Sequence, residues 1–247
     1  MQQPRRIKIL GVTINDTTEA EALATVASYI AKRGPHQVVT VNPEFVMEAR
    51  RNAAFRRVLA AADLATPDGI GIVLAARLRG ERFRARVTGI GLVRAIARDA
   101  AGRGWRLFLL GATPGVAERA AAALRDDHPG LVVVGCHAGS PRPDDEAAIR
   151  QLVLAARPDV LLVAYGHPAQ ELWIARNQPL LRVPVAIGVG GTFDELAGVV
   201  RPTPALVQRL GLKWAYRLWQ QPQRLPRIID AVPRFAIAAL ADALRRV

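Results

Sequence analysis

Apolar residues in this chain gather in two rhythms. Short unbroken runs such as Val160-Leu-Leu-Val-Ala164 and Leu131-Val-Val-Val134 alternate with longer stretches whose apolar positions recur at helical spacing. The first rhythm reads as strand and the second as amphipathic helix. Together they predict strands over 7–12, 37–41, near Leu64, and over 106–110, 131–135, 160–164 and 183–188. Helices are predicted over 19–32 and 44–61, from Gly69, from Ile90, and over 114–127, 143–156 and 168–177. Thr18 followed by Glu21 makes a capping box, and Pro114, Pro143 and Pro168 stand at helix starts, where a missing N–H costs nothing. Strands without polar alternation belong in a parallel sheet covered on both faces. The expected fold is therefore α/β: a Rossmann-like, mostly parallel sheet with helices on both faces.

From about Pro202 the rhythm changes to two helical stretches, 205–221 and 225–246, parted around Pro222 and followed by no strand. This divides the chain into an α/β domain over 1–200 and a helical C-terminal appendage over 201–247. A length of 247 residues, 51% of them hydrophobic, is enough for a sizeable core. Charge is unevenly spread: 201–247 holds nine Lys/Arg against Asp230 and Asp242, so +7 of the net +13 sits in the last fifth of the chain. Over 205–221 an apolar stripe of Leu206, Leu210, Trp214 and Leu218 runs beside a basic stripe of Arg209, Lys213 and Arg217. Such a helix can lie on an anionic membrane surface, pack on a core, or bind nucleic acid, and the first is favoured here. Each basic residue near an anionic leaflet contributes about 1 kcal/mol.

No run of about 18 uncharged apolar residues exists to span a bilayer. The first apolar run, 7–12, is broken by Lys8 and too short for a signal core. Cys136 is the single cysteine and ends a strand-like run, which predicts an inert buried thiol and a reducing, cytoplasmic setting.

Four loop segments carry the polar residues that chemistry would use: Thr40-Val-Asn42, Thr66-Pro-Asp68-Gly-Ile-Gly71, Arg86-Val-Thr-Gly89 and Gly166-His-Pro-Ala-Gln170-Glu171. Each follows or interrupts a strand-like run, where open α/β sheets place their ligands. Asp68, between Pro67 and Gly69, presents a carboxylate on a constrained turn, which suits a general base; an ordinary Asp-Gly turn is the alternative. Asn42, before Pro43, is a helix cap or a ligand contact. Arg86 shares an arginine-rich stretch with Arg79, Arg82 and Arg84, most of which the plain reading turns to solvent. Gln170 and Glu171 open a helix, as any polar start does, and His167 reads as a loop histidine. Two further turns, Gly111-Ala-Thr-Pro-Gly115 and Gly188-Val-Gly190-Gly191-Thr-Phe-Asp194, join strands to helices and offer backbone N–H groups to an anion. Neither is a dinucleotide fingerprint or a P-loop, which argues against NAD and hydrolysed ATP. An Asp-x-Asp pair is also missing; Asp126-Asp127 and Asp144-Asp145 are adjacent pairs that read as solvated helix ends. With four His and one Cys scattered, no metal site is expected.

The four segments, in this order and at these separations, resemble the WecG/TagA/CpsF family of bacterial glycosyltransferases, and the resemblance covers nearly the whole chain. It implies a membrane-associated, metal-independent, inverting transferase, without cofactor, that moves a sugar from a UDP-sugar to a polyprenyl-diphosphate-linked saccharide. N-acetylmannosamine, glucose and a uronic acid all fit as that sugar. By resemblance Asp68 is the catalytic base, Thr40, Asn42 and Gln170 face the substrate, and Arg86 holds a diphosphate. Gly111, Tyr165, Gly190, Gly191 and Asp194 would then serve the nucleotide, with Asp194 on ribose or uracil. Arg217, Arg224 and Arg227 match tail arginines that complete the site over a membrane-bound acceptor. The chain departs from the family at Ile90-Gly91, where Ile-Asp is usual, and at Ala169, often Lys. A homo-oligomer is compatible with the sequence. The expected place of work is the inner face of the cell membrane. The rival class is a basic Rossmann-like nucleic-acid-binding protein, with an oxidoreductase a distant third.

Overall fold

The computed structural model describes residues 5–204, 206–207 and 212–245, leaving the side chains of Lys213, Arg224, Arg227 and Asp230 outside that description. Six strands, β3 (His36–Val41), β4 (Leu64–Pro67), β5 (Arg106–Gly111), β6 (Val132–His137), β7 (Val160–Ala164) and β8 (Val185–Gly188), form one sheet in the order β4-β3-β8-β7-β5-β6. Every pairing in it is parallel. The two-residue side-chain period sorts the strand residues between two faces. Leu107, Leu109, Leu162 and Ile187 face a core shared with α1 (Glu19–Lys32), α5 (Gly89–Arg103) and α6 (Val116–Asp127). On the other face, Phe108, Leu110, Leu161 and Val163 pack with α7 (Pro143–Ala156) and α8 (Ala169–Leu181). Val39, Val41 and Ala65 pack there with α2 (Pro43–Arg51), α3 (Ala53–Ala61) and α4 (Ile70–Leu78). Each such aliphatic side chain, fully buried, contributes about 1.5–3 kcal/mol. The α/β architecture with both faces covered agrees with the sequence pattern.

Four local differences have physical causes. The expected strand over 7–12 is a hairpin, β1 (Arg6–Ile9) and β2 (Val12–Asn15), paired antiparallel. It reverses at Leu10 (φ 47°) and Gly11 (φ 91°), the two left-handed residues that a primed turn requires. The expected helix over 44–61 is split at Asn52, which adopts an extended conformation. Asn52 Oδ1 accepts from the Phe55 N–H at 3.0 Å while its own N–H donates to the Glu48 carbonyl at 2.8 Å, so one residue ends α2 and starts α3. Helix α8 continues past the expected end at Asn177, carrying Pro179 within it. The expected helix over 225–246 is broken into α11 (Leu225–Ile229), a π turn (Asp230–Arg234) and α12 (Phe235–Leu244), because Pro233 lacks the donor that a regular turn needs.

In the tail, the helix expected over 205–221 is described at 206–207 and as α10 (Lys213–Gln220); Arg209 and Leu210 of its stripes lie outside the described residues. Phe235 and Ala239 of α12 are buried against Phe45, Ile72, Ala75 and Ala76. Arg79, predicted to face solvent, is instead nearly buried: its guanidinium bonds the Lys8 carbonyl and pairs with Asp242 of α12 at 3.2 Å. Arg84 stays exposed, as expected of the cluster, while bonding the Asp16 carbonyl and Glu21, each at 2.6 Å. Cys136 is half-buried with its thiol on the Ala117 carbonyl, and burial pushes it up to about 11, in agreement with an inert thiol. Among the described residues no helix is long and apolar enough to cross a membrane.

Candidate active site

The carboxyl ends of β3, β4, β7 and β8 open into a cavity of about 680 Å³, within the usual range for small-molecule sites. One wall is polar and comes from the strand ends, including Thr40, Asn42, Asp68, Arg86, Gln170 and Gly188 to Gly191. A second set of lining residues is apolar and comes from α4 and the tail, including Leu74, Leu78, Trp214, Ile228 and Phe235.

Asp68 follows the fully buried strand β4, and its N–H donates to the Val41 carbonyl at 2.8 Å, which fixes the turn against β3. Its Oδ2 accepts from the Gly89 N–H at 3.2 Å. Gly89 is the first residue of α5, capped by Thr88, whose Oγ1 accepts from the Gly91 N–H at 3.2 Å. The carboxylate therefore sits at a helix N-terminus, a favourable place for negative charge. A side chain at Gly89 would meet Thr40 Oγ1 at 3.4 Å, Thr192 Oγ1 at 3.8 Å and Asp68 Oδ2 at 3.9 Å, so these three groups converge on one point of α5. Gly91, the departure from the family pattern, lies beside Glu19: a Cβ there would be 2.6 Å from Glu19 Oε2.

Asn42 is a helix cap that also lines the cavity: its Oδ1 caps α2 by accepting from the Phe45 N–H at 3.1 Å. His167 lies in the loop between β7 and α8, as expected, and lines the cavity: Nδ1 lies 3.3 Å from Glu44 Oε2 and the ring stacks on Phe45. Arg86 is exposed, lines the cavity, and makes no ion pair or hydrogen bond among the described residues. Gln170 is almost fully buried, and its Oε1 accepts from the Gly166 N–H at 3.1 Å and the Gly190 N–H at 3.0 Å.

Of the residues expected at a nucleotide, Gly190, Gly191 and Asp194 line the cavity. Tyr165 also lines it, but its ring packs edge-on against Trp173 and its hydroxyl is buried without a partner, which raises its pKa. Gly111 does not line it; a Cβ there would lie 2.7 Å from the Ala164 carbonyl carbon, so the glycine serves the β5–β7 approach and Ala112 takes the lining place. Arg217 is brought to the cavity edge, where Nη2 contacts Glu195 Oε2 at 2.9 Å and the Gly191 carbonyl at 3.5 Å. The side chains of Arg224 and Arg227 lie outside the described residues. Sequence reasoning passed over Thr192, Trp214 and Phe235, because a threonine inside a glycine turn and aromatics in an apolar stripe carry no signal of their own. Among the described residues no three His, Cys, Asp or Glu side chains are placed together to hold a metal ion.

The family model described as "Glycosyl transferase WecG/TagA/CpsF family" matches residues 7–247. The chain belongs to this family. Relatives in it include the N-acetylglucosaminyldiphosphoundecaprenol N-acetyl-β-D-mannosaminyltransferase of Bacillus spizizenii, 34% identical over 203 residues, which cover 82% of this chain and 78% of the relative. The protein of the same name from Staphylococcus aureus (strain MW2) is 29% identical over 244 residues, or 98% of this chain and 94% of the relative. The protein is thus a WecG/TagA/CpsF glycosyltransferase, and the match runs through the tail as well as the sheet.

Proposed function

We propose that the cavity takes a UDP-sugar and passes the sugar, with inversion, to a polyprenyl-diphosphate-linked saccharide in bacterial surface polysaccharide synthesis. The observation that carries this reading is the convergence of Asp68, Thr40 and the α5 N-terminus in one cavity that α4 and the tail line with apolar side chains. Asp68 accepts the proton of the acceptor hydroxyl as its oxygen forms the new bond to the anomeric carbon. On the opposite side the bond from that carbon to the diphosphate oxygen breaks, and UDP leaves with the electron pair. A base so placed contributes about 10²- to 10⁴-fold. Arg86 and the backbone N–H groups of the glycine turns meet the charge developing on UDP, in place of a metal, while Arg217 faces the acceptor diphosphate. Asp194 pairs with ribose or uracil. The relatives' names, which join N-acetylmannosamine to N-acetylglucosaminyl-diphosphoundecaprenol, support that donor class and a lipid-linked acceptor. The apolar wall suits the lipid side of such an acceptor, and the basic tail would hold the enzyme on the inner, anionic face of the membrane. An inward Arg217, paired with Glu195, suits a diphosphate at the cavity better than a nucleic-acid surface.

The test is UDP release from a panel of UDP-sugars with one lipid-diphosphate acceptor, with and without chelator. Release with UDP-N-acetylmannosamine that survives EDTA is expected. Absence of release with every donor would sink the reading, and recovery by Mg²⁺ or Mn²⁺ after chelation would overturn its metal-free part.

A further inference from the structure

Glu171 is wholly buried, yet it begins α8 directly behind the polar wall of the cavity. Its backbone carbonyl accepts from Gln37 Nε2 at 3.2 Å, which ties the start of α8 to β3. Its side chain turns toward the end of β8: a Cβ at Gly188 would lie 2.3 Å from Glu171 Oε1, so the contact exists only because position 188 is glycine. Oε1 accepts from Gln170 Nε2 at 2.6 Å, and Oε2 has no hydrogen-bond partner.

A glutamine amide has two ends of opposite character, and a half turn exchanges them. Here the oxygen end meets two backbone donors, Gly166 N–H and Gly190 N–H, which belong to the turns after β7 and β8. The nitrogen end meets Glu171. A flipped amide would set NH₂ against two N–H groups and leave both unsatisfied, which the fold disfavours. We propose that Glu171 is a positioning residue: by accepting from Gln170 Nε2 it holds the amide oxygen toward Gly166 and Gly190, and so fixes the spacing of the two glycine turns that wall the sugar-nucleotide cavity. The name of that cavity rests on the function proposed above; the mechanical role does not.

The chemistry of the site agrees. Burial pushes the carboxyl up to about 8, against the opposing effect of the Gln170 hydrogen bond, so the group is mainly a neutral acid at pH 7. A neutral carboxyl still has a carbonyl oxygen to offer, and its second oxygen can stay buried at far lower cost than a charge.

Hydrogen–deuterium exchange on the full chain tests this without any ligand, through peptides covering 164–170 and 186–192. Glu171→Gln keeps an acceptor and is expected to exchange as wild type at both turns. Glu171→Met keeps the shape but not the acceptor, and both turns are expected to exchange about 10-fold faster while the β5 amides stay protected. Gln170→Ala combined with Glu171→Met should exchange no faster than Gln170→Ala alone, since the carboxyl acts through the amide. Wild-type exchange at both turns in Glu171→Met overturns the proposal, as does a full additional effect of that change on the Gln170→Ala background. Should Glu171→Met not fold, Glu171→Gln decides: preserved protection supports the role and loosened turns refute it. Calorimetry with UDP on the same proteins adds an expected 10-fold weakening in Glu171→Met and none in Glu171→Gln. A wild type that fails to bind UDP counts against the proposed function alone, because the exchange result stands independently.

Discussion

The two walls of the cavity are built in different ways. On the strand-end wall, three polar side chains already have protein partners: Asp68 with Gly89, Asn42 with Phe45, and Gln170 with Gly166, Gly190 and Glu171. Only Arg86 among the described arginines of the cavity is left without one. On the tail wall the described contacts are apolar, centred on Phe235 against Phe45 and Ile72, with Arg217 to Glu195 as a polar tie. Side chains fixed in this way suit chemistry that depends on placement within fractions of an ångström. A wall of apolar packing and one ion pair can accommodate a partner of less defined shape, which is what a lipid-linked acceptor presents.

The largest effect is expected at Asp68. Asp68→Asn keeps the shape and the bond to Gly89 but cannot take a proton, and turnover should fall at least about 100-fold with UDP affinity unchanged. Near-wild-type turnover would remove Asp68 from the mechanism and erase the contrast between the walls. Next comes Phe235→Ala, which leaves a void between α12 and the α2–α4 core; a stability loss of about 3–5 kcal/mol by denaturant titration is expected. A loss below about 1 kcal/mol would mean that α12 rests on the core without being part of it.

Arg217→Ala removes the polar tie of the tail wall and leaves Glu195 buried without that partner. A fall of about 10-fold in transfer to lipid-linked acceptor is expected, with UDP affinity within about 2-fold of wild type; each 10-fold is about 1.4 kcal/mol. Weakened UDP binding instead would place Arg217 with the strand-end wall. Lysine at this position should not restore the rate, because it lacks the planar fork.

The last effect is spread over a pH range instead of falling at one site contact. Glu171 binds its proton more tightly folded than unfolded, since burial raises it from 4.5 to about 8. Its contribution is therefore complete below about pH 4.5 and is lost as pH rises toward 8, with a slope of at most about 1.4 kcal/mol per pH unit for one proton. Glu171→Gln should flatten the stability profile between those limits and gain on the wild type as pH rises. Parallel profiles for the two proteins would show that the carboxyl is already charged in the fold.

Much of the strand-end wall was legible because its residues lie where parallel strands run out, and β3, β4, β7 and β8 are neighbours in the sheet. That adjacency is what brings Asp68, Asn42 and Gln170 into one cavity from distant parts of the chain. Other features depend on information that pattern does not carry. Leu10 occupies a left-handed conformation that leucine rarely adopts, so nothing local announced the hairpin. Asn52 has the spacing of a helix interior yet caps its neighbour. Gly111 resembles an anion-binding glycine, and only the approach of Ala164 reveals a packing role. A glutamate at a helix start normally faces water, so the burial of Glu171 had no sequence signal. The tail was read as basic and amphipathic, whereas the anchoring of α12 through Phe235 and Arg79 needed the fold.

Arg79 also gives the molecule a mechanical layout. One guanidinium fastens the carbonyl of Lys8 in β1 to Asp242 in α12, so the last helix is riveted to the first hairpin. A load applied to the tail by a membrane would pass through that rivet into β1 and α4 at one end, and through Arg217 into α9 (Thr192–Leu196) at the other. Between the two fastenings the chain runs through Pro222, Pro226 and the π turn at Pro233, a jointed span rather than a single rod. Deformation under such a load would collect in that span, which lines the cavity through Ile228, Ala231 and Val232, and would spare the strand ends.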